Sequence, residues 1–89
     1  MANAKEVELP RRYTIEDIKN ILQGIGDSNV LWLRNDVVDI KIVRVEIGVT
    51  IYIVFGERYT FDDDDRGRWD YVCYITDNLD DLSWFINGL

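Results

Sequence analysis

Histidine is absent from this chain of 89 residues, and cysteine and proline occur once each. Without an imidazole base, a Ser-His-Asp or Cys-His nucleophile pair is excluded. One cysteine and no histidine cannot supply the four nitrogen or sulfur ligands of a zinc site within one chain. Nor is an internal disulfide available, so Cys73 staples nothing and reads as a small core residue. No apolar run approaches the ~18–20 residues that span a bilayer. The opening Met1, Ala2, Asn3, Ala4, Lys5 and Glu6 are not followed by an apolar stretch, so no export signal is read and a cytoplasmic location is expected. Bases are also scarce: 10 Lys and Arg stand against 17 Asp and Glu, a formal charge of −7. Nucleic-acid binders gain affinity from Lys and Arg on phosphates. Here the basic clusters are Arg11-Arg12 and the pair Arg66 and Arg68, the latter beside a run of Asp. Direct nucleic-acid binding and membrane contact are therefore not expected. Neither a P-loop nor a complete G-x-G-x-x-G occurs: Gly24 and Gly26 lack a third glycine and a preceding strand.

What is present is a foldable chain. Apolar residues make up 47% and aromatics 12% of it, richer than disordered sequences. A chain of this mass buries about 64% of its surface on folding, enough for one modest core. The reading is one α+β domain over residues 10–89, preceded by a flexible arm at residues 1–9. In that arm Val7 and Leu9 alternate with Glu6 and Glu8, which also fits an edge strand.

Local signals divide the rest. Thr14 reads as an N-cap with Asp17 three residues on, a capping box, and Tyr13 and Ile18 have the spacing of a hydrophobic staple. Ile15, Ile18, Ile21, Leu22 and Ile25 recur at helical spacing, and Gly24 and Gly26 bracket the stop. Residues 30–33 read as a short strand between turn-rich flanks. In residues 37–47 the apolar phase changes, with Val38, Ile40 and Ile42 on one parity and Val43, Val45 and Ile47 on the other. A β-bulge near Ile42 and Val43, or burial on both faces, reconciles them. After Gly48, the set Val49, Ile51, Ile53 and Phe55 alternates with Thr50, Tyr52 and Val54 and predicts a central strand. Trp69, Tyr71, Cys73 and Ile75 alternate with Asp70, Val72 and Tyr74 in the last strand. Asp77 reads as the N-cap of a second helix, whose stripe is Leu79, Leu82, Phe85, Ile86 and Leu89.

The predicted fold is thus a two-layer sandwich: an antiparallel sheet of four to five strands flanked by an N-terminal and a C-terminal helix, in the order α-β-β-β-β-α. The uncovered face is expected to carry Tyr52, Val54, Tyr74 and Trp32, an apolar face suited to a homodimer or partner contact.

Residues 61–89 hold 8 acids and 2 bases, so most of the negative charge lies in the last third. Its centre is the run Asp62, Asp63, Asp64 and Asp65. As an EF-hand loop this run fails. Asp62, Asp64, Gly67 and Asp70 fit positions 1, 3, 6 and 9, but Arg66 falls at 5 and Cys73 at 12, where a bidentate Glu is needed. No metal or cofactor is expected. Paired carboxylates alone can do acid–base work, but 17 acids make accidental pairs unavoidable, so no catalytic residue is assigned. Extended carboxylates advance about 3.3 Å per residue, close to the ~3.4 Å charge spacing of one DNA strand.

The sequence therefore points to a non-enzymatic acidic inhibitor or interaction protein. Its partner would be a basic nucleic-acid-binding protein, held by phosphate mimicry through Asp62, Asp63, Asp64, Asp65 and Asp70, with Trp69 and Tyr59 as aromatic anchors. In size and charge the chain is similar to small acidic phage (viral) inhibitors of host defence, anti-CRISPR and anti-restriction proteins among them, and to nuclease-immunity proteins. No motif carries that likeness. The alternative is an assembly domain that forms a homodimer through the apolar sheet face.

Overall fold

Thr14 starts the first helix as its side chain suggests. In the computed structural model, which describes residues 4–24, 29–61 and 66–89, the Thr14 hydroxyl accepts the Asp17 backbone N–H and the Asp17 carboxylate accepts the Thr14 N–H. This capping box opens α1, Ile15–Gln23, which Gly24 closes. The Lys5 ammonium donates to the Gly24 carbonyl at 2.8 Å, placing a cation at the negative end of the helix. The second helix, α2, is Leu79–Asn87. Its N-cap is Asn78 and not the expected Asp77: the Asn78 Oδ1 accepts from the backbone N–H groups of Asp80 and Asp81.

Five strands form one sheet: β1 (Ala4–Glu8), β2 (Val30–Arg34), β3 (Val38–Glu46), β4 (Thr50–Phe61) and β5 (Gly67–Thr76). They lie in chain order across the sheet. β2 to β5 pair antiparallel, as expected, and form a meander. β1 is parallel to β2, so the sheet is mixed and the predicted antiparallel sheet is corrected. Parallel pairing needs a long crossover, and α1 provides it. Residues 4–8 are thus a paired strand, extending the order to β-α-β-β-β-β-α.

Both helices contribute to one core. Ile18 and Leu22 of α1 and Leu82 and Ile86 of α2 pack with Leu31, Leu33, Val38, Ile40, Ile42, Val54 and Val72. The strand residues share one face of the sheet. In register, Leu31 is opposite Ile42 and Ile42 opposite Val54; Leu33 is opposite Ile40 and Ile40 opposite Gly56. β3 pairs with β4 residue for residue from Val38 to Glu46, so the expected bulge is absent. Its second apolar set is reconciled by the other route, since Val43 and Val45 are half-buried on the opposite face.

Gly56 allows this packing. A Cβ there would stand 2.2 Å from the Asp39 carbonyl oxygen and 2.7 Å from the Ile40 Cα, at φ +154°. The two helices are joined directly by Lys19 and Asp80, 3.0 Å apart, and this pairing raises the Lys19 pKa. Tyr13 donates from its hydroxyl to the Ile86 carbonyl at 3.2 Å, and burial raises its pKa.

Candidate functional site: the open face of the sheet

The face turned away from the helices is assembled in rows by the strand register. One row runs Glu8, Arg34, Asp39, Glu57, Tyr71 from β1 to β5. The next runs Glu6, Trp32, Lys41, Phe55, Cys73, and a third has Val30, Val43, Ile53, Ile75. Charge collects at the β1–β3 side. Over β4 and β5 the rows become apolar, and Glu57 is the single ionic side chain there among the described residues.

Two expectations are corrected here. Tyr52, Val54 and Tyr74 point to the helices and not to the open face, while Ile51, Ile53 and Phe55 take the open side. Trp32 is on the open face as expected. Cys73 shares that parity and is exposed, so it is not a core residue. Both parities of β4 are apolar, which hides the choice from sequence. Packing decides it: Val54 fits opposite Ile42, and Tyr52 and Tyr74 are long enough to pack their rings against the core edge. Tyr74 stacks on Phe85 of α2 at 4.1 Å between centroids, nearly parallel, and donates from its hydroxyl to Asp81 at 2.6 Å.

On the charged side, Trp32 is held from several directions. Its indole N–H donates to the Asp39 carboxylate at 2.5 Å. The Arg34 guanidinium lies 4.5 Å and the Lys41 ammonium 4.8 Å from its ring centroid. Both cations lie within cation–π range of the ring. Beside it opens a groove of about 500 Å³, lined by Trp32, Lys41, Phe55, Glu57, Tyr71 and Cys73.

Past Arg58, which faces the first residue of β3, the β4–β5 hairpin continues as a two-stranded arm. Tyr59 is opposite Trp69, with ring centroids 5.5 Å apart, and Tyr59 meets Phe61 edge-on at 5.0 Å. The Tyr59 ring also fills the space above Gly67, where a Cβ would overlap its hydroxyl. Tyr59 and Trp69, both singled out from sequence, therefore meet on the open face. Asp70 does not join them. It lies on the opposite side of the arm, 3.1 Å from the Arg68 guanidinium and 2.8 Å from the Thr60 hydroxyl. Asp62, Asp63, Asp64 and Asp65 lie outside the described residues. Asp70 and Cys73, which an EF-hand reading would place at its ninth and twelfth positions, are in the extended strand β5.

Sequence reasoning missed Phe55, Phe61, Tyr71 and Ile75 as a surface. Tyr71 is 92% exposed, Phe61 74%, Ile75 63%, Trp69 46% and Phe55 42%. A fully exposed ring presents ~150–250 Å², so these five side chains together offer on the order of 600 Å². That is at or above the largest patch of an ordinary monomer, about 300–600 Å². Among the described residues, no three Asp, Glu or Cys side chains gather as a metal site, and no helix is long and apolar enough to cross a membrane. No protein-family model, curated protein or solved structure matches the chain.

Proposed function

We propose that the protein is a non-catalytic protein-binding domain whose contact surface is the open face of the sheet over β4 and β5. One observation carries this reading: five large apolar side chains stand exposed and contiguous on a face that the helices leave uncovered. Such a surface gains by being removed from water, at about 25 cal/mol per Å². Aromatic anchors beside a groove are the arrangement found at interface hot spots. The test is co-purification on tagged wild type and tagged Tyr71→Arg from the same lysate with untagged chain present, so that a second copy counts as a bound protein. Loss of the bound protein in the variant, with circular dichroism unchanged, supports the reading. Equal retention by both overturns it.

A second reading keeps the acidic mimic of the sequence analysis, an inhibitor held by a basic nucleic-acid-binding protein. It is favoured by the position of Tyr59, Phe61 and Trp69 on the arm that flanks the Asp62, Asp63, Asp64 and Asp65 run. It requires binding that weakens with salt and on Asp→Asn changes at those four positions. Binding indifferent to both removes it.

A further inference from the structure

We infer that the occupant of the open face is a second copy of this chain, packed face to face so that the two sheets form the inner layers of an α/β/β/α dimer. This rests on the open face being the binding surface and adds the identity of the partner. Three observations carry it.

The first is area. The five exposed apolar side chains on β4 and β5 offer on the order of 600 Å², most of the ~800 Å² that each partner contributes to a standard interface.

Charge is the second. The protein carries −7, so association of like copies is favoured at a surface with few ionic groups. Over β4 and β5 the open face holds one ionic group, Glu57. A basic partner would find little there to attract it; an identical face meets little there to repel it.

Shape is the third. A two-fold interface must be self-complementary, with the same patch offering a projection and its receptacle. This face has both. Phe61 and Trp69 project on the arm, and the groove between Trp32, Phe55 and Tyr71 is hollow. A two-fold axis between them seats the arm of each copy over the groove of the other. Packed sheets sit about 10 Å apart, within reach of these side chains.

Sedimentation of the purified full chain over a concentration series tests this, with Cys73 as an internal reporter. Cys73 lies in the groove, so face-to-face packing shields its thiol from a small disulfide reagent, and shielding rises with dimer population. The expected result is a monomer–dimer equilibrium that salt leaves unchanged or strengthens, because screening reduces the repulsion of like net charges. Tyr71→Arg and, separately, Ile75→Lys raise the dissociation constant by at least ~10-fold, the effect of losing a central contact. Both side chains are exposed in the monomer, so each variant keeps its helices and sheet.

A monomer at every concentration overturns the inference. So does a dimer whose Cys73 reacts as fast as in the monomer, with β5 amides newly protected from exchange, since that is edge-to-edge pairing of β5. A monomer that still loses a lysate partner on Tyr71→Arg leaves the open-face reading standing and removes only the second copy. Equal capture by both proteins removes the open-face reading itself.

Discussion

Along β4 and β5 the open face of the sheet carries more apolar side chains than the covered one, yet the covered face is the core and the open face a surface. On the covered side Val54 and Val72 are buried; on the open side Phe55, Tyr71 and Ile75 are exposed. What separates them is the neighbouring element and not the side chains. The helices supply Ile18, Leu22, Leu82 and Ile86 to one face, and no described residue covers the other. Apolar residues on a strand therefore report that a face can be covered, and only the topology says by what.

The largest effect that sharpens this contrast is expected at Gly56. Alanine there puts a Cβ against the Asp39 carbonyl and the Ile40 Cα, backbone atoms that cannot swing away. Strained backbone and overpacking together cost about 3 kcal/mol or more. For a chain of this length total stability is roughly 4–13 kcal/mol, so Gly56→Ala is expected to lower the urea midpoint sharply or prevent folding. A midpoint near wild type would mean that β3 and β4 can part at this point, and that the core is looser than the register implies.

Next comes a matched pair, one residue from each face. Ile40→Ala empties a fully buried position and is expected to cost about 2–5 kcal/mol. Tyr71→Ala removes a ring that is almost fully exposed and is expected to change the stability of the monomer by no more than about 0.5 kcal/mol. Urea melts at several protein concentrations decide between two cases. If the Tyr71→Ala cost grows with concentration, the open face is being covered by association. If it is large even at high dilution, Tyr71 is held within the monomer and the two faces are not as different as drawn.

A smaller effect separates α2 from the sheet it covers. Asn78 satisfies two backbone N–H groups at the start of that helix, so Asn78→Ala is expected to cost about 1 kcal/mol. Thr14→Ala should do similar damage to α1. Amide exchange would show whether the loss is confined to the helix ends or whether the covered face opens with them.

These positions also show what the sequence reveals. The start of α1 was legible because a capping box needs only residues three apart. The cap of α2 was displaced by one because Asp77 and Asn78 are both good caps, and the chosen one depends on where β5 ends. The parallel pairing of β1 was hidden because it is made across α1, beyond any local pattern. On β4, either parity satisfies alternation; the choice falls out of Gly56 having to face Ile40. Once that phase is fixed, Val72 and Tyr74 follow it inward, and Cys73 goes outward with Tyr71. Of the site, the separation of Asp70 from Trp69 was within reach of sequence, since neighbours on a strand point to opposite faces, whereas the pairing of Tyr59 with Trp69 required the strand register.

The smallest effect lies at the edge where the covered face meets water. Tyr74 donates from its hydroxyl to Asp81, and this bond, with a second from Thr76, holds the Asp81 carboxyl below its ordinary value. The same bond, with lesser help from burial, raises the Tyr74 hydroxyl above its own. The signs combine simply. A depressed carboxyl contributes stability above the unfolded carboxylate value, about 3.9, and loses it as pH falls through the folded value. A raised phenol contributes stability below about 10 and loses it as pH rises through the folded value. The bond therefore acts between those limits and fades outside them. Tyr74→Phe is expected to return Asp81 upward toward the ordinary carboxylate range in a carbon-detected titration. The small difference in melting temperature between variant and wild type should vanish in acid, because the protonated Asp81 no longer distinguishes them. An Asp81 titration unmoved by Tyr74→Phe would assign the shift to Thr76 and leave Tyr74 with only its stacking on Phe85, making that edge of the covered face purely a packing boundary.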